Sequence, residues 1–457
     1  MGKLHLAGRP HQAVVKLPAA CALAVVALDA VLVVKTGLPV SSLLLGGCLA
    51  VLFLLWQPIA FLLGIIFVNS FINAFSRSVA VPLGSVSLNP SEALGLLIIA
   101  LGSLALVGRP LPVANLRPIL VPLVLGNALL AGSSIAAGRL GTDSIATWVR
   151  SLGFLVLFLL AAASFTKERQ VRRAVALFSW ASLIPIGAGL YQAVSGTGSS
   201  ELVRGDISRV FGTWNHPNPY SFYLLMVFAL ALVTLLDARA WPGRLLGGVW
   251  CALVLACLFL TYTRITWLGL VPAVLVISAL RRNPWIPLGM ALVAVLVLLF
   301  VPTAQKRLAE VETVRWQAPG LGGNSIEWRL AAWQQSRKAL EGGLLLGHGA
   351  NATSELLGFD AHNDYLAALI DGGVLGLGVQ LWLQAALMAG SLRAWRRLRT
   401  PLYRRIALAL LAVQVAFALM SLTDNLIGYF QLYAYHWIFV GMVCALPSIE
   451  RRVGAAA

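Results

Sequence analysis

The sequence predicts an all-α protein: a polytopic bundle of 12–14 membrane-spanning helices with one long, outward-facing, partly helical loop. Three observations lead there. Of the 457 residues, 59% are hydrophobic and only 11% are charged, where a soluble domain carries about a quarter charged residues. Apolar runs long enough to cross a hydrocarbon layer of roughly 30 Å recur along the whole chain. Basic residues also collect in alternate connections between those runs. The net charge of +17 would point to nucleic acid in a soluble protein. Here membrane topology explains it, and no nucleic-acid partner is expected.

The expected spans lie near 17–34, 39–56, 58–75, 89–107, 118–136, 146–164, 174–194, 219–236, 245–262, 266–280, 285–302, 373–392, 406–423 and 429–446. The first follows Lys3, Arg9 and Lys16. It is too long for a signal-peptide core and has no clear small-residue cleavage site, so it reads as a span. Cys21, Cys48, Cys251, Cys257 and Cys444 all fall within spans, without metal-ligand or redox spacing. They read as small apolar packing residues. Threaded from a cytoplasmic N-terminus, the inner segments collect 21 of the 34 basic residues and only Glu168, Asp237 and Glu450 among the 17 acidic ones. That asymmetry puts both termini inside and the long loop outside. The chain then divides into helices over 1–302, an outer loop over 303–372, and C-terminal helices with a cytoplasmic tail over 373–457.

The outer loop is the one long polar stretch. It carries a charged run over 327–341 that includes Trp328, Leu330, Trp333 and Leu340, then LGHGAN (346–351) and FDAHNDYL (359–366). A loop of that length is usually either functional or disordered. Its Trp, Leu and Gly-turn content favours a folded cap, with the run over 327–341 resting on the bilayer surface as a gate. Three shorter outer segments join it: 195–219, TYTRITW (261–267) and TDNLIGYF (423–430). The RGD at 204–206 reads as a chance match.

His362 is the chemical centre of the loop. A free imidazole titrates near pH 6.5 and so can take a proton from a hydroxyl near neutrality. Asp360 and Asp364 flank it, and either could orient the ring. The same D-x-H-x-D string permits a divalent metal, though with no second cluster none is expected. A purely structural reading has Asp360 or Asn363 capping the next helix. Arg264, Arg204 and Arg209 either snorkel, or pair with Asp206, or form a guanidinium clamp on a pyrophosphate, whose oxygens the planar fork fits. His216 sits in WNHPNPY (214–220) together with Asn218. The prolines there punctuate a helix start, and structural and functional roles for His216 stand level.

Arg329 and Trp333, followed by LGHGAN, AHNDYL and GGVLGLG (372–378), resemble the signature of the O-antigen ligase and polymerase superfamily. RVFGTWNHPNPYSFYLL (209–225) and TYTRITWLGL (261–270) resemble two further family motifs, with Thr263 where a Ser usually precedes the arginine. The resemblance implies a metal-independent, cofactor-free, inverting glycosyltransferase in the bacterial inner membrane. Such an enzyme moves a glycan from undecaprenyl pyrophosphate to a lipid A-core or similar acceptor at the periplasmic face. It implies His362 as the base or acceptor-orienting group. It implies Arg264, with Arg204 or Arg209, as pyrophosphate ligands, and supporting roles for Arg329 and the residues around the two histidines. Membrane lipids complete the expected partners. A polymerase that uses a second lipid-linked repeat unit as acceptor shares these motifs. A flippase for the same lipid would place charges at mid-membrane, whereas here the polar residues gather at one face. A non-enzymatic scaffold is the remaining reading.

Overall fold

The computed structural model describes residues 57–72, 81–83, 86–88, 90–198, 208–302, 305 and 325–456. The expected spans at 17–34 and 39–56, together with Cys21, Cys48 and Arg204, lie outside the described residues. The remainder is the expected helical bundle. Nine helices among the described residues are long and apolar enough to cross a membrane.

In chain order the helices begin with α1 (Pro58–Val68), α2 (Pro90–Leu106), α3 (Val113–Ala136), α4 (Thr142–Ser164), α5 (Glu168–Ala181) and α6 (Leu183–Ser195). The central group is α7 (Pro217–Asp237), α8 (Trp241–Leu260), α9 (Arg264–Arg281) and α10 (Trp285–Phe300). The segment before α13 supplies α11 (Ser325–Ser336) and the short α12 (Ala352–Leu357). The chain finishes with α13 (Asp364–Arg397), α14 (Pro401–Met420) and α15 (Phe430–Ala456). A small antiparallel hairpin, β1 (Val81–Leu83) with β2 (Val86–Leu88), precedes α2 and was not anticipated.

The packing puts α7 at the centre, against α8, α9, α14 and α15. It is buried continuously from Pro217 to Val233. Hydrocarbon tails are as apolar as leucine, so helices in a bilayer associate through close contact rather than through the hydrophobic effect. Close contact is what the sequence supplies. Gly441 of α15 lies against the backbone of α4 at Phe158, and Gly269 of α9 lies against Met420 of α14; neither leaves room for a Cβ. Gly189 and Gly212 receive the Tyr220 ring in the same way, and its hydroxyl donates to the Pro185 carbonyl at 2.8 Å. Phe178 meets Tyr223, Tyr435 and Phe439 edge to face, with ring centroids 5.7, 5.2 and 5.1 Å apart. Outward-facing Leu292, Val295 and Leu299 of α10 remain exposed for lipid.

The run expected at 174–194 lies within one candidate membrane span, Glu168–Ser195, in which a turn at Ser182 separates α5 from α6 where Pro185 has no N–H to continue the ladder. One expectation is corrected. The span expected from 373 starts instead at Asp364 and bends at Gly373, whose φ of 65° and ψ of −167° interrupt the helix. The helix therefore begins within the cap.

The two ends of the bundle differ in chemistry. At one end Asp237 takes Arg281 of α9 and Arg405 of α14, the latter at 3.0 Å. Near there the α13–α14 turn donates from the backbone of Arg399 and Thr400 to Glu450 at 3.0 and 2.7 Å. The turns carrying Asn218, Thr263, His362 and Asp424 gather at the opposite end. If the basic end is cytoplasmic, single cysteines placed at Ser195 and Ser325, with native cysteines removed, should react with an impermeant thiol reagent in intact spheroplasts. Labelling only after lysis would reverse the topology.

Candidate functional site

The site is built around Asp424, in the turn between α14 and α15. Its carboxylate is fully buried, with 0% exposure. A buried anion is costly unless it is paired and hydrogen-bonded, and here both conditions are met. Asn218 Nδ2 donates to Oδ2 at 2.7 Å. Tyr429 Oη donates to Oδ1 at 3.0 Å, and the Asn425 N–H to the same oxygen at 2.9 Å. Arg329 of α11 lies 3.8 Å from Oδ2, and Nδ1 of His362 lies 3.7 Å from Oδ1. Burial alone would push the Asp424 carboxyl up. The facing His362 imidazole, the Arg329 charge and the Tyr429 hydroxyl outweigh it and hold the group below the usual carboxylate range. Asp424 is therefore an anion, and Tyr429 beside it is pushed far above the ordinary phenol range, first by burial and then by that negative charge.

Asn218 links this anion to the arginine turn. It lies at the start of α7, where His216 caps the helix through Nδ1, which accepts from the Asn218 N–H at 3.0 Å. The Asn218 Oδ1 accepts from Arg209 at 3.1 Å. Arg209, 5% exposed, also donates to the Thr261 carbonyl at 2.7 Å and to the Thr263 hydroxyl at 3.0 Å. Arg264 follows Thr263 directly as the first residue of α9 and is half-buried. The Val210 N–H donates to Leu260 O at 3.2 Å and ties the two segments together. His216 also feels this cluster. Burial first, and then the Arg209 guanidinium, lower its imidazole to about 4.

The His362 loop is held in a costly shape. His362 has a φ of 46°, a left-handed conformation that costs a side-chain-bearing residue about 1–2 kcal/mol. Three bonds fix it. Trp333 Nε1 donates to Ala361 O at 2.9 Å and docks α11 on this loop. The Asn363 N–H donates to Asn425 Oδ1 at 3.0 Å. Asn363 Oδ1 accepts from the N–H groups of Tyr365 and Leu366, both at 3.0 Å, which caps α13.

The two flanking carboxylates go elsewhere. Asp360 accepts from Ser354 on an exposed turn at 2.6 Å. Asp364 turns inward to Ser421 Oγ at 2.7 Å and to the Leu426 N–H at 3.1 Å. The D-x-H-x-D string does not converge, and among the described residues no three His, Cys, Asp or Glu side chains gather for a metal ion. The carboxylate that the fold brings to His362 is Asp424, to which the sequence reading assigned no role. Its signal was a lone acid in a short outer turn between two apolar runs.

LGHGAN also has a structural task. Asp371 of α13 accepts from Thr353 N and Oγ1 at 2.8 and 2.7 Å. Its carbonyl accepts from the Gly349 N–H at 2.9 Å. Gly347 and Gly373 abut the facing backbones so closely that a Cβ would collide. The motif clamps the bend of α13 and so sets where the His362 loop begins.

Two pH windows follow. The depressed His216 makes the folded state bind a proton less readily than the unfolded chain. Stability should therefore fall as pH drops from about 6.5 to about 4, by up to about 3 kcal/mol. His216→Asn keeps a cap, and thermal unfolding across that range should lose the slope. A mutant with an unchanged slope would rule out His216 as its source. Asp424 is depressed as well, so its stabilisation is full above the unfolded carboxylate range and disappears below it. Asp424→Asn should cost about 1–3 kcal/mol at neutral pH, and its melting temperature should approach the parent's below about pH 4. A gap that persists in acid would show that packing, not charge, is lost.

No curated protein matches the chain. The family model described as O-antigen ligase matches residues 248–381, from α8 through Arg264, Arg329 and His362 into α13. Over this stretch the chain is thus similar to the O-antigen ligase family.

Proposed function

We propose that this protein is an O-antigen ligase-type glycosyltransferase. It moves a glycan from undecaprenyl pyrophosphate to a hydroxyl of a lipid A-core or similar acceptor, at the periplasmic face of the inner membrane. The observation that carries this reading is the anionic Asp424 facing Nδ1 of His362, in one cluster with Arg329 and with the Arg209–Asn218 pair.

An anion beside Nδ1 keeps a proton on that nitrogen and leaves Nε2 with its lone pair, ready to act as base. The acceptor oxygen attacks the anomeric carbon as its proton passes to Nε2. The bond from that carbon to the pyrophosphate oxygen breaks, and the leaving group takes the electron pair. Attack opposite the leaving group inverts the carbon. The negative charge that develops on the leaving oxygen is matched by preorganised guanidinium groups. Arg264 is the direct clamp. Arg209 spends Nε and one terminal nitrogen on the 261–263 turn and Asn218, and so contributes its charge and holds Arg264 in register. Since arginines supply the positive charge, turnover needs no divalent ion.

The test uses purified protein, lipid-linked donor and EDTA. His362→Ala should still bind undecaprenyl pyrophosphate, while transfer falls about 100- to 10,000-fold. Arg264→Lys keeps the charge but loses the fork, so donor binding should weaken at least tenfold. If either variant turns over like the parent, the corresponding role is wrong. Longer lipid-linked chains as product, in place of lipid A-linked glycan, would identify a polymerase.

A further inference from the structure

Leu344, Leu345 and Leu346 are three consecutive leucines left 61%, 62% and 45% exposed. Their backbone is committed to α13. The bend at Gly373 interrupts the helical ladder, and the N–H groups just past it, of Val374 and Leu375, donate to the Leu344 and Leu345 carbonyls at 2.9 and 3.4 Å. Gly343 lies against the His348 ring and Gly373 against the Leu345 carbonyl, so closely that neither has room for a Cβ. The triplet is therefore a short finger pinned on the bend, with no freedom to fold its leucines inward. The exposed polar residues Arg337, Lys338 and Glu341 lead into it, and the buried Gly349 and Ala350 follow it.

The same bend fixes the depth of the finger. Beyond Gly373, α13 keeps one exposed stripe at helical spacing, Val374, Leu375, Leu381, Trp382, Ala385 and Ala389, and it stays uncharged until Arg393. The helix is long and apolar enough to cross a membrane, and this stripe is the face it offers to lipid. From Gly373 to Arg393 it rises roughly 30 Å, at about 1.5 Å per residue, which is the thickness of the hydrocarbon layer. With Arg393 at one boundary of that layer, the bend and the leucines bonded to it lie at the other. The finger continues the lipid stripe at its end. Non-helical backbone is tolerated at that depth only where neighbouring groups complete it, and here the freed N–H groups of α13 do so.

We propose that Leu344, Leu345 and Leu346 form a membrane-dipping finger whose side chains enter the acyl chains of the leaflet on the His362 side. The finger is continuous with LGHGAN, which clamps the bend of α13 and sets where the His362 loop begins. Anchoring the finger therefore holds that loop at one height above the bilayer. Its catalytic meaning rests on the transferase reading above: a lipid-linked pyrophosphate projects from the membrane by a fixed amount, and Arg264 and His362 must wait for it at that height.

The experiment uses full-length protein in nanodiscs, with native cysteines removed and a nitroxide placed at Leu345→Cys or, as the lipid-facing reference, at Leu381→Cys. Spin relaxation by oxygen, which concentrates in acyl chains, is compared with relaxation by a water-soluble nickel chelate. The label at position 345 should favour oxygen, as the one at 381 does. A preference for the chelate would make the triplet a solvated loop and overturn the proposal. Protection from both reagents would show that protein covers the leucines, whether another segment or a second copy, and would overturn it as well. The double variant Leu344→Asn, Leu345→Asn tests the height. Its kcat/KM on an undecaprenyl-linked donor in nanodiscs should fall about tenfold or more, as misplacement of a bound substrate does, while a short-chain, water-soluble donor in detergent is turned over like the parent. Equal loss on both donors would make the leucines structural and refute the height-setting role, and so would no loss on either. A parent protein that turns over neither donor while position 345 still reports acyl chains would keep the finger and sink the transferase reading instead.

Discussion

A carboxylate with no access to solvent is the constraint on which the His362 end of this bundle depends. Asp424 lies in a turn too short to carry it to the surface, between two helices that are largely buried. Its charge survives only because α7, α11 and the His362 loop all bring it partners. Each partner is in turn fixed by another bond. Asn218 is gripped by Arg209, and the backbone beside His362 is held by Asn425 and Trp333. Removing one partner of such a network costs more than any single bond is worth, because the remaining charges stay buried. The same network gives a histidine an oriented anion and gathers guanidinium groups near it, so the electrostatics that stabilise the turn also serve the proposed chemistry.

The bilayer decides where this can happen. Backbone groups at membrane depth must be satisfied within the protein, so irregular chain is tolerated only where neighbouring segments complete it. The bend of α13 obeys that rule. The LGHGAN segment lays its own N–H groups on the carbonyls freed near Asp371, and glycines let the two backbones touch. The bend starts the helix at Asp364, within the cap. His362 therefore stands one residue from a capped helix start, held more firmly than the middle of a loop would be. Closure of the Asp237 cluster at the far end leaves the catalytic candidates clustered at one end of the bundle.

Much of this was legible in the residues themselves. Apolar run length depends on local composition alone, and the helices appear where those runs lie, within a few residues. The bend at Gly373 was missed because apolar windows do not register which backbone a glycine must face. The residue types of the site were legible too: His362, Arg209 and Arg264 were singled out from their polar setting among apolar spans. What misled was proximity along the chain. Asp360 and Asp364 are two residues from His362, yet one follows an exposed turn and the other the first turn of a helix, so their carboxylates diverge.

The sequence by itself determined that the chain crosses a membrane many times, that its basic connections alternate with its polar ones, and that a histidine and arginines lie on the connections opposite the basic ones. These follow from hydropathy and charge, which act residue by residue. Only the tertiary structure decided which groups meet. Asp424 is 62 residues from His362 in the chain and 206 from Asn218, and no local pattern encodes a pairing across that distance. It arises because several helices must pack closely enough to bury one anion, and a buried anion accepts only those partners that the packing can deliver.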